Sequence, residues 1–184
     1  MTMIQQFTTE TLPEHFKWQM RDFTRIVWNS KEPADMTVPL SPDRWHPTHF
    51  VIADGQFLLS ATTVLWKMVD ILGQSYKMYG LGMVMTYPTH RKQGYGQQTV
   101  KAATDFIRQD ATADMAWLQT RPELEQFYGA QGWAYMPDVT VLSGAIDQPV
   151  NENSWNMMLF LSDEAQQNRQ QIAKATFYLD EYLW

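Results

Sequence analysis

The segment from Tyr76 to Gln109 restricts the fold of this chain more than any other. It opens with "YKMYGLGMVMTYP", an apolar run that ends at Pro88 and reads as a strand. "THRKQGYGQQT" follows, in which Gly94 and Gly96 remove side chains where the chain turns. Val100, Ala103 and Ile107 then recur at i, i+3 and i+7, which predicts a helix from about Tyr95 to Gln109. A strand, a bare turn and a helix in this order call for a sheet with helices packed on it.

The flanking sequence supplies the rest of that sheet. Residues 3–8 read as a short strand, and Phe16, Met20, Phe23 and Val27 predict a helix from about Pro13 to Trp28. Residues 29–47 carry Pro33, Pro39, Pro42 and Pro47 and read as a long loop, a kind that is often functional. Asp54-Gly55 joins two β-rich runs and predicts a hairpin, and Leu72-Gly73-Gln74 marks a second turn. Downstream, "MAWLQT" reads as a strand and Pro122 to Gly129 as a short helix. Strands at "WAYMP", "VTVLS" and "SWNMMLFLS" precede a polar tail over 162–184. The class is α/β or α+β, with a mixed sheet in one domain spanning residues 1–184.

Bulk properties exclude several functions. The net charge of −6 argues against a nonspecific nucleic-acid binder, which needs a basic face to displace counterions from phosphate. It suits a cationic small molecule instead. With no cysteine, disulfides, thiolate metal sites and a cysteine acyl-enzyme are ruled out. No window approaches the ~20 apolar residues of a membrane span, and the N-terminus lacks the pattern of a secretory signal. These features lead us to expect a cytoplasmic protein with no membrane or nucleic-acid partner.

The turn at 91–97 carries the chemistry. The helix after it opens Gln97, Gln98, Thr99 without an acid, although free amides and the dipole favour one there. With Arg91 and Lys92 ahead of it, the turn suits an anion such as a phosphate; a plain glycine turn with solvated cations is the alternative. Neither the Walker A spacing nor Gly-x-Gly-x-x-Gly is present, and the pattern is Arg-x-x-Gly-x-Gly.

This pattern resembles the pyrophosphate loop of the GCN5-related N-acetyltransferase (GNAT) superfamily. "GLGMVMTYPTHRKQGYGQQTVKAATDFI" is similar to the superfamily's fourth strand, loop and third helix. "MAWLQTRPELEQFYGAQGW" is similar to its fifth strand and fourth helix, with the ending Phe127, Tyr128, Gly132, Trp133. The resemblance covers about residues 48–161. It implies a twisted, mostly antiparallel sheet of about six to seven strands flanked by helices, split in a V between the fourth and fifth strands. Within the superfamily, "HFVIADGQFLLSATTV", "PDVTVLSG" and the final Trp resemble aminoglycoside 2′-N-acetyltransferases.

The resemblance implies acetyl-coenzyme A as cofactor and a small amine as acceptor. Met83, Val84 and Met85 would lie along the pantetheine arm, with strand backbone offered to an extended chain. Arg91, Lys92, Gln93, Gly94, Tyr95, Gly96 and Gln97 would surround the pyrophosphate. Tyr128 is the implied general acid; without the resemblance it reads first as a packed helix tyrosine. The base is open, because Gly82 stands where the aminoglycoside enzymes carry a glutamate. His90 sits next to the loop, while His46, His49 and His15 lie farther from it in sequence. Asp180, Glu181 and Trp184 in the tail, and Asp35, Asp43 and Trp45 in the long loop, are candidates for the acceptor cleft; the tail acids read equally as solvated, and Trp45 equally as a core residue. No metal is expected, and the relatives' habit allows a homodimer. A catalytically inactive acyl-CoA-binding module is the alternative from another class.

Overall fold

The computed structural model describes residues 3–28, 40–151 and 155–180. A seven-stranded sheet has the order β1-β2-β3-β4-β5-β9-β6, and a three-stranded sheet the order β10-β7-β8. The first four strands are β1 (Gln5–Thr8), β2 (Thr48–Asp54), β3 (Phe57–Ile71) and β4 (Gln74–Thr86). Next come β5 (Met115–Thr120), β6 (Ala134–Tyr135), β7 (Thr140–Ser143), β8 (Val150–Asn151), β9 (Trp155–Phe160) and β10 (Thr176–Tyr178). The helices are α1 (Glu14–Trp28), α2 (Tyr95–Gln109), α3 (Glu125–Gly129), α4 (Asp163–Gln167) and α5 (Arg169–Ile172).

Both expected hairpin turns are present. Gly55 has φ +58, between strands whose register ends at Asp54↔Phe57. At the second, Leu72 (φ +55) and Gly73 (φ +81) both take positive φ, the backbone of a type I′ turn, which matches strand twist. The leucine fits this turn less well than the Asn or Gly usual there, and its side chain is exposed.

Pairing is antiparallel for β1–β2, β2–β3, β5–β9 and β6–β9. It is parallel between β4 and β5, over Met78–Gly80 and Met115–Trp117 only. The ladder stops there although both strands continue, as the expected split between them requires. The mixed sheet with flanking helices is the fold class read from the sequence.

The chain forms two compact units, which β3, β4 and α2 run through: Met1–Leu65 with Gly82–Ala103, and Trp66–Leu81 with Thr104–Trp184. In the first, α1 buries Phe16, Met20 and Phe23 against Val51, Ala53, Leu58, Ala61 and Met85. Val27 is 39% exposed, so the apolar face of α1 ends one turn earlier than its periodicity predicts. The second unit packs Val69, Ile71, Tyr76 and Met78 with Met115, Trp117, Met158, Ile172, Phe177 and Leu179. Here a buried polar chain replaces apolar contact at one point. Trp117 Nε1 donates to Asn156 Oδ1 at 3.1 Å, and Asn156 Nδ2 donates to the Val139 carbonyl at 3.2 Å. A lone buried amide is costly, and this pairing holds β9 to the segment entering β7.

Candidate active site

The turn before α2 is built by backbone conformation. Pro88–His90 form one 3-10 turn, closed by His90 N–H donating to the Tyr87 carbonyl at 2.8 Å. Lys92 (φ +62) and Gly94 (φ +82) then both enter the left-handed region. The first helical bond runs from Gln98 N–H to the Gly94 carbonyl at 3.0 Å. The amides of Tyr95, Gly96 and Gln97 thus come before the i→i−4 ladder, at the positive end of a 15-residue helix whose first turn has no acid. Arg91, Lys92, Gln93 and Gln97 are exposed around this start. Arg91 Nε donates to the Thr86 carbonyl at 3.2 Å, which holds its guanidinium beside the end of β4.

Three hydroxyl groups that the sequence reading did not single out support this loop. Thr62 Oγ1 donates to Thr99 Oγ1 at 2.9 Å, and Thr99 Oγ1 donates to the Gly96 carbonyl at 3.1 Å. Ser60 Oγ donates to the Met85 carbonyl at 2.8 Å. All three residues are buried, so β3 fixes both the end of β4 and the first turn of α2. Their only sequence signal is that Ser60 and Thr62 share one face of β3.

Within β4, Met83 takes φ +49, a conformation that a non-glycine residue adopts at a cost and that interrupts the strand's pleat. Met83 and Val84 are half-buried, whereas Met85 is buried in the α1 core. The strand's backbone is therefore what it can offer a ligand at Met83 and Val84; the Met85 side chain is committed to packing.

Tyr128, in the second unit, lies on α3 at 5% exposure, with its ring edge-on to Phe127 at 4.9 Å. Burial pushes its phenol up to about 12, offset in part by a hydrogen bond from Thr120 and the charge of Arg121. The phenol thus keeps its proton throughout the neutral range, as a donor must. The motif around it has a structural logic. Gly132 (φ +85) ends the turn after α3, and Trp133 Nε1 donates to Thr104 Oγ1 of α2 at 3.1 Å.

The remaining candidates separate clearly. Trp45 is 3% exposed and belongs to the core, closing a 3-10 turn that Asp43 opens. Asp180 pairs with Lys67 Nζ at 2.8 Å, and the same ammonium donates to the Leu179 carbonyl. Asp35, Glu181 and Trp184 lie outside the described residues. Among the described residues, no cluster of three or more His, Asp or Glu could hold a metal. The engagement of Asp180 makes a prediction: Asp180→Asn should cost roughly 1–3 kcal/mol in thermal denaturation and leave the KM for an amine unchanged. A raised KM at unchanged stability would assign it to the acceptor instead.

Of the histidines, His90 is half-buried between the rings of Tyr87 and Tyr95, 6.2 and 6.3 Å away. His49 is buried in β2, and its Nδ1 is 2.9 Å from Thr63 Oγ1. Burial, with a smaller contribution from Lys17, lowers its pKa to about 4. The folded protein therefore holds His49 neutral while the unfolded chain protonates near 6.5. Stability is fully present above the unfolded value and falls as pH drops from about 6.5 to about 4, by about 3 kcal/mol in all. Denaturant melts across this window should show that slope for the wild type, and His49→Gln should flatten it.

Comparison with known proteins supplies the family. The description "Acetyltransferase (GNAT) domain" matches residues 11–136, more than half of the chain. The chain belongs to the GNAT acetyltransferase family. Among curated proteins, none matches it by sequence. Solved structures share the fold at low identity. Escherichia coli YhbS, a GNAT family N-acetyltransferase in complex with CoA, is 16% identical, with TM-score 0.63, over 99% of this chain and 91% of that one. Escherichia coli ElaA is 15% identical, with TM-score 0.60, over 85% and 98%. Arabidopsis thaliana NAA60 in complex with acetyl-CoA is 9% identical, with TM-score 0.61, over 86% and 99%.

Proposed function

We propose that residues 1–184 form one acetyl-CoA-dependent N-acetyltransferase domain, acting on a primary amine of a small, cationic acceptor. The observation that carries this reading is the start of α2: an acid-free helix N-terminus after two left-handed residues, within the stretch that matches the family. Oriented amides with positive dipole character suit a pyrophosphate, and two relatives in fold are complexes with CoA and acetyl-CoA.

Acetyl-CoA supplies an acyl group activated as a thioester. The backbones of Gln93 to Gln97, with Arg91 and Lys92, would bind its pyrophosphate, and Met83 and Val84 its amide-bearing arm. When the acceptor nitrogen attacks the acyl carbon and the carbon–sulfur bond breaks, Tyr128 would give its phenolic proton to the leaving sulfur. The proton lost by the amine passes to solvent or to a base, since an amine of pKa about 10.4 reaches the site mostly charged. The acceptor can be aminoglycoside-like, another amino sugar or polyamine, or a protein amine. A net charge of −6 favours the cationic ones. A cytoplasmic enzyme is part of this reading; no described helix is long and apolar enough to cross a membrane.

One observation favours a second reading, an acyl-CoA-binding module without turnover: Gly82 stands beside the Met83 bend, and β4 itself carries no Asp or Glu. Calorimetry with acetyl-CoA tests the shared part of both readings, and absence of heat would remove both. Thiol release with an amine panel separates them.

A further inference from the structure

The second unit contains a cleft that neither the cofactor loop nor Tyr128 uses. It measures about 380 Å³ and lies between the last turn of α2, the end of β9 and the α4–α5 pair. Arg108, Gly132, Phe160, Gln166 and Arg169 are among its lining residues, and among the described residues no Asp or Glu lines it. In a chain of net charge −6, two guanidinium groups facing one acid-free cleft are a local reversal of sign.

Arg108 is built into this position. Its Nη2 donates to the Gln131 carbonyl at 2.6 Å, and a Cβ on Gly132 would stand 2.7 Å from the same nitrogen. Gly132 is favoured by its positive φ, and a Cβ there would displace the guanidinium that lies against its bare backbone. Asp105, one turn back on α2, pairs with Arg108 at 3.9 Å in a half-exposed contact that neutralises little. Arg169 lies over the Phe160 ring at 5.1 Å, which orients its fork without a carboxylate.

Backbone geometry adds to the site. The β6–β9 register ends at Ala134↔Met158, so β6 does not extend alongside Phe160. Leu161 N–H donates to the Asp114 carbonyl on the β5 side at 2.8 Å. Within the strand peptide groups alternate, so the Phe160 N–H faces away from β5.

We propose that this cleft binds a small dianion, carboxylate- or phosphate-bearing, held between Arg108 and Arg169. Two cations on one cleft match two negative charges, and the planar fork of arginine suits both oxyanion types. The test is calorimetric titration with two probes, succinate and inorganic phosphate, on wild type, Arg169→Gln and Arg108→Lys. Arg169 is exposed, so Arg169→Gln keeps the fold, which its melting temperature verifies. The expected result is saturable binding of at least one probe, weakened about tenfold or more in Arg169→Gln, and also in Arg108→Lys, which keeps the charge but loses the fork. The probe that binds more tightly identifies the oxyanion. No saturable binding of either probe to wild type overturns the proposal. Binding of wild-type strength in both variants does so too, because the anion would then sit elsewhere, as at the α2 N-terminus. Neither result bears on acetyl transfer, whose test is independent.

Discussion

Tyr128→Phe should lower kcat by about 10²–10⁴ and leave the KM for acetyl-CoA nearly unchanged. The substitution removes one oxygen and keeps the ring that meets Phe127 edge-on at 4.9 Å. The hydroxyl also takes part in the bond with Thr120, so a stability loss of about 1 kcal/mol accompanies the change. A loss that small cannot account for a fall of two decades or more in rate, which makes the two effects separable in one preparation. The pH profile gives a second check. Burial lifts the phenol to about 12, so the acid remains protonated across any ordinary assay range. Below that value the wild-type rate should rise with pH, as more acceptor amine loses its proton, without a descending limb from Tyr128. If Tyr128→Phe matches wild type in kcat at every pH, Tyr128 serves only to pack α3.

Gly94→Val should weaken acetyl-CoA by roughly ten- to a hundredfold, seen in KM and in calorimetry, with a smaller change in kcat. The cause is conformational. Gly94 has φ +82, and a Cβ built there would meet only Gln98 Nε2, at 3.9 Å. A β-branched residue would fit the space and still resist the backbone angle, so the loop must shift the amides that open α2. Gly55 provides the control. It too has positive φ (+58) and open space around its Cβ position, but it lies in the β2–β3 hairpin. Gly55→Val should therefore lower stability by a comparable amount and spare the KM. Equal KM effects at the two positions would mean that strain spreads through the unit and that Gly94 has no special part in binding.

The features legible in the sequence are those whose cause is local. Tyr95–Gln109 emerges with both ends correct because a glycine turn precedes it and Val100, Ala103 and Ile107 mark one buried face. Asp54-Gly55 and Leu72-Gly73 impose turns whatever surrounds them. Where the cause lies across the chain, the sequence reading falls short. β10 is a three-residue strand paired in parallel with β7, and nothing in Thr176–Tyr178 shows that partner. α4 and α5 are short and glutamine-rich, and read from sequence as a polar tail. Trp45 reads from sequence equally as rim or core, and its large apolar ring gains more from the burial it has. Asp180 meets Lys67, more than a hundred residues away, and so has a partner no spacing rule could supply.

The site divides in the same way. The turn from Arg91 to Gln97 is legible because a bare turn before an acid-free helix start leaves its mark as missing side chains and missing acids. Ser60, Thr62 and Thr99 are not, since they act through a buried network that links β3, β4 and α2. Arg108 was read only as part of a helix, and its place against Gly132 depends on the turn after α3.

The most direct test of acetyl transfer is release of free thiol from acetyl-CoA in the presence of a panel of amines, followed for wild type and Tyr128→Phe. The account predicts release that depends on at least one cationic amine, matched by an equal amount of acetylated product, and reduced about 10²–10⁴-fold by the substitution. Binding of acetyl-CoA with no thiol released for any amine would contradict it and leave the chain as an acyl-CoA-binding module.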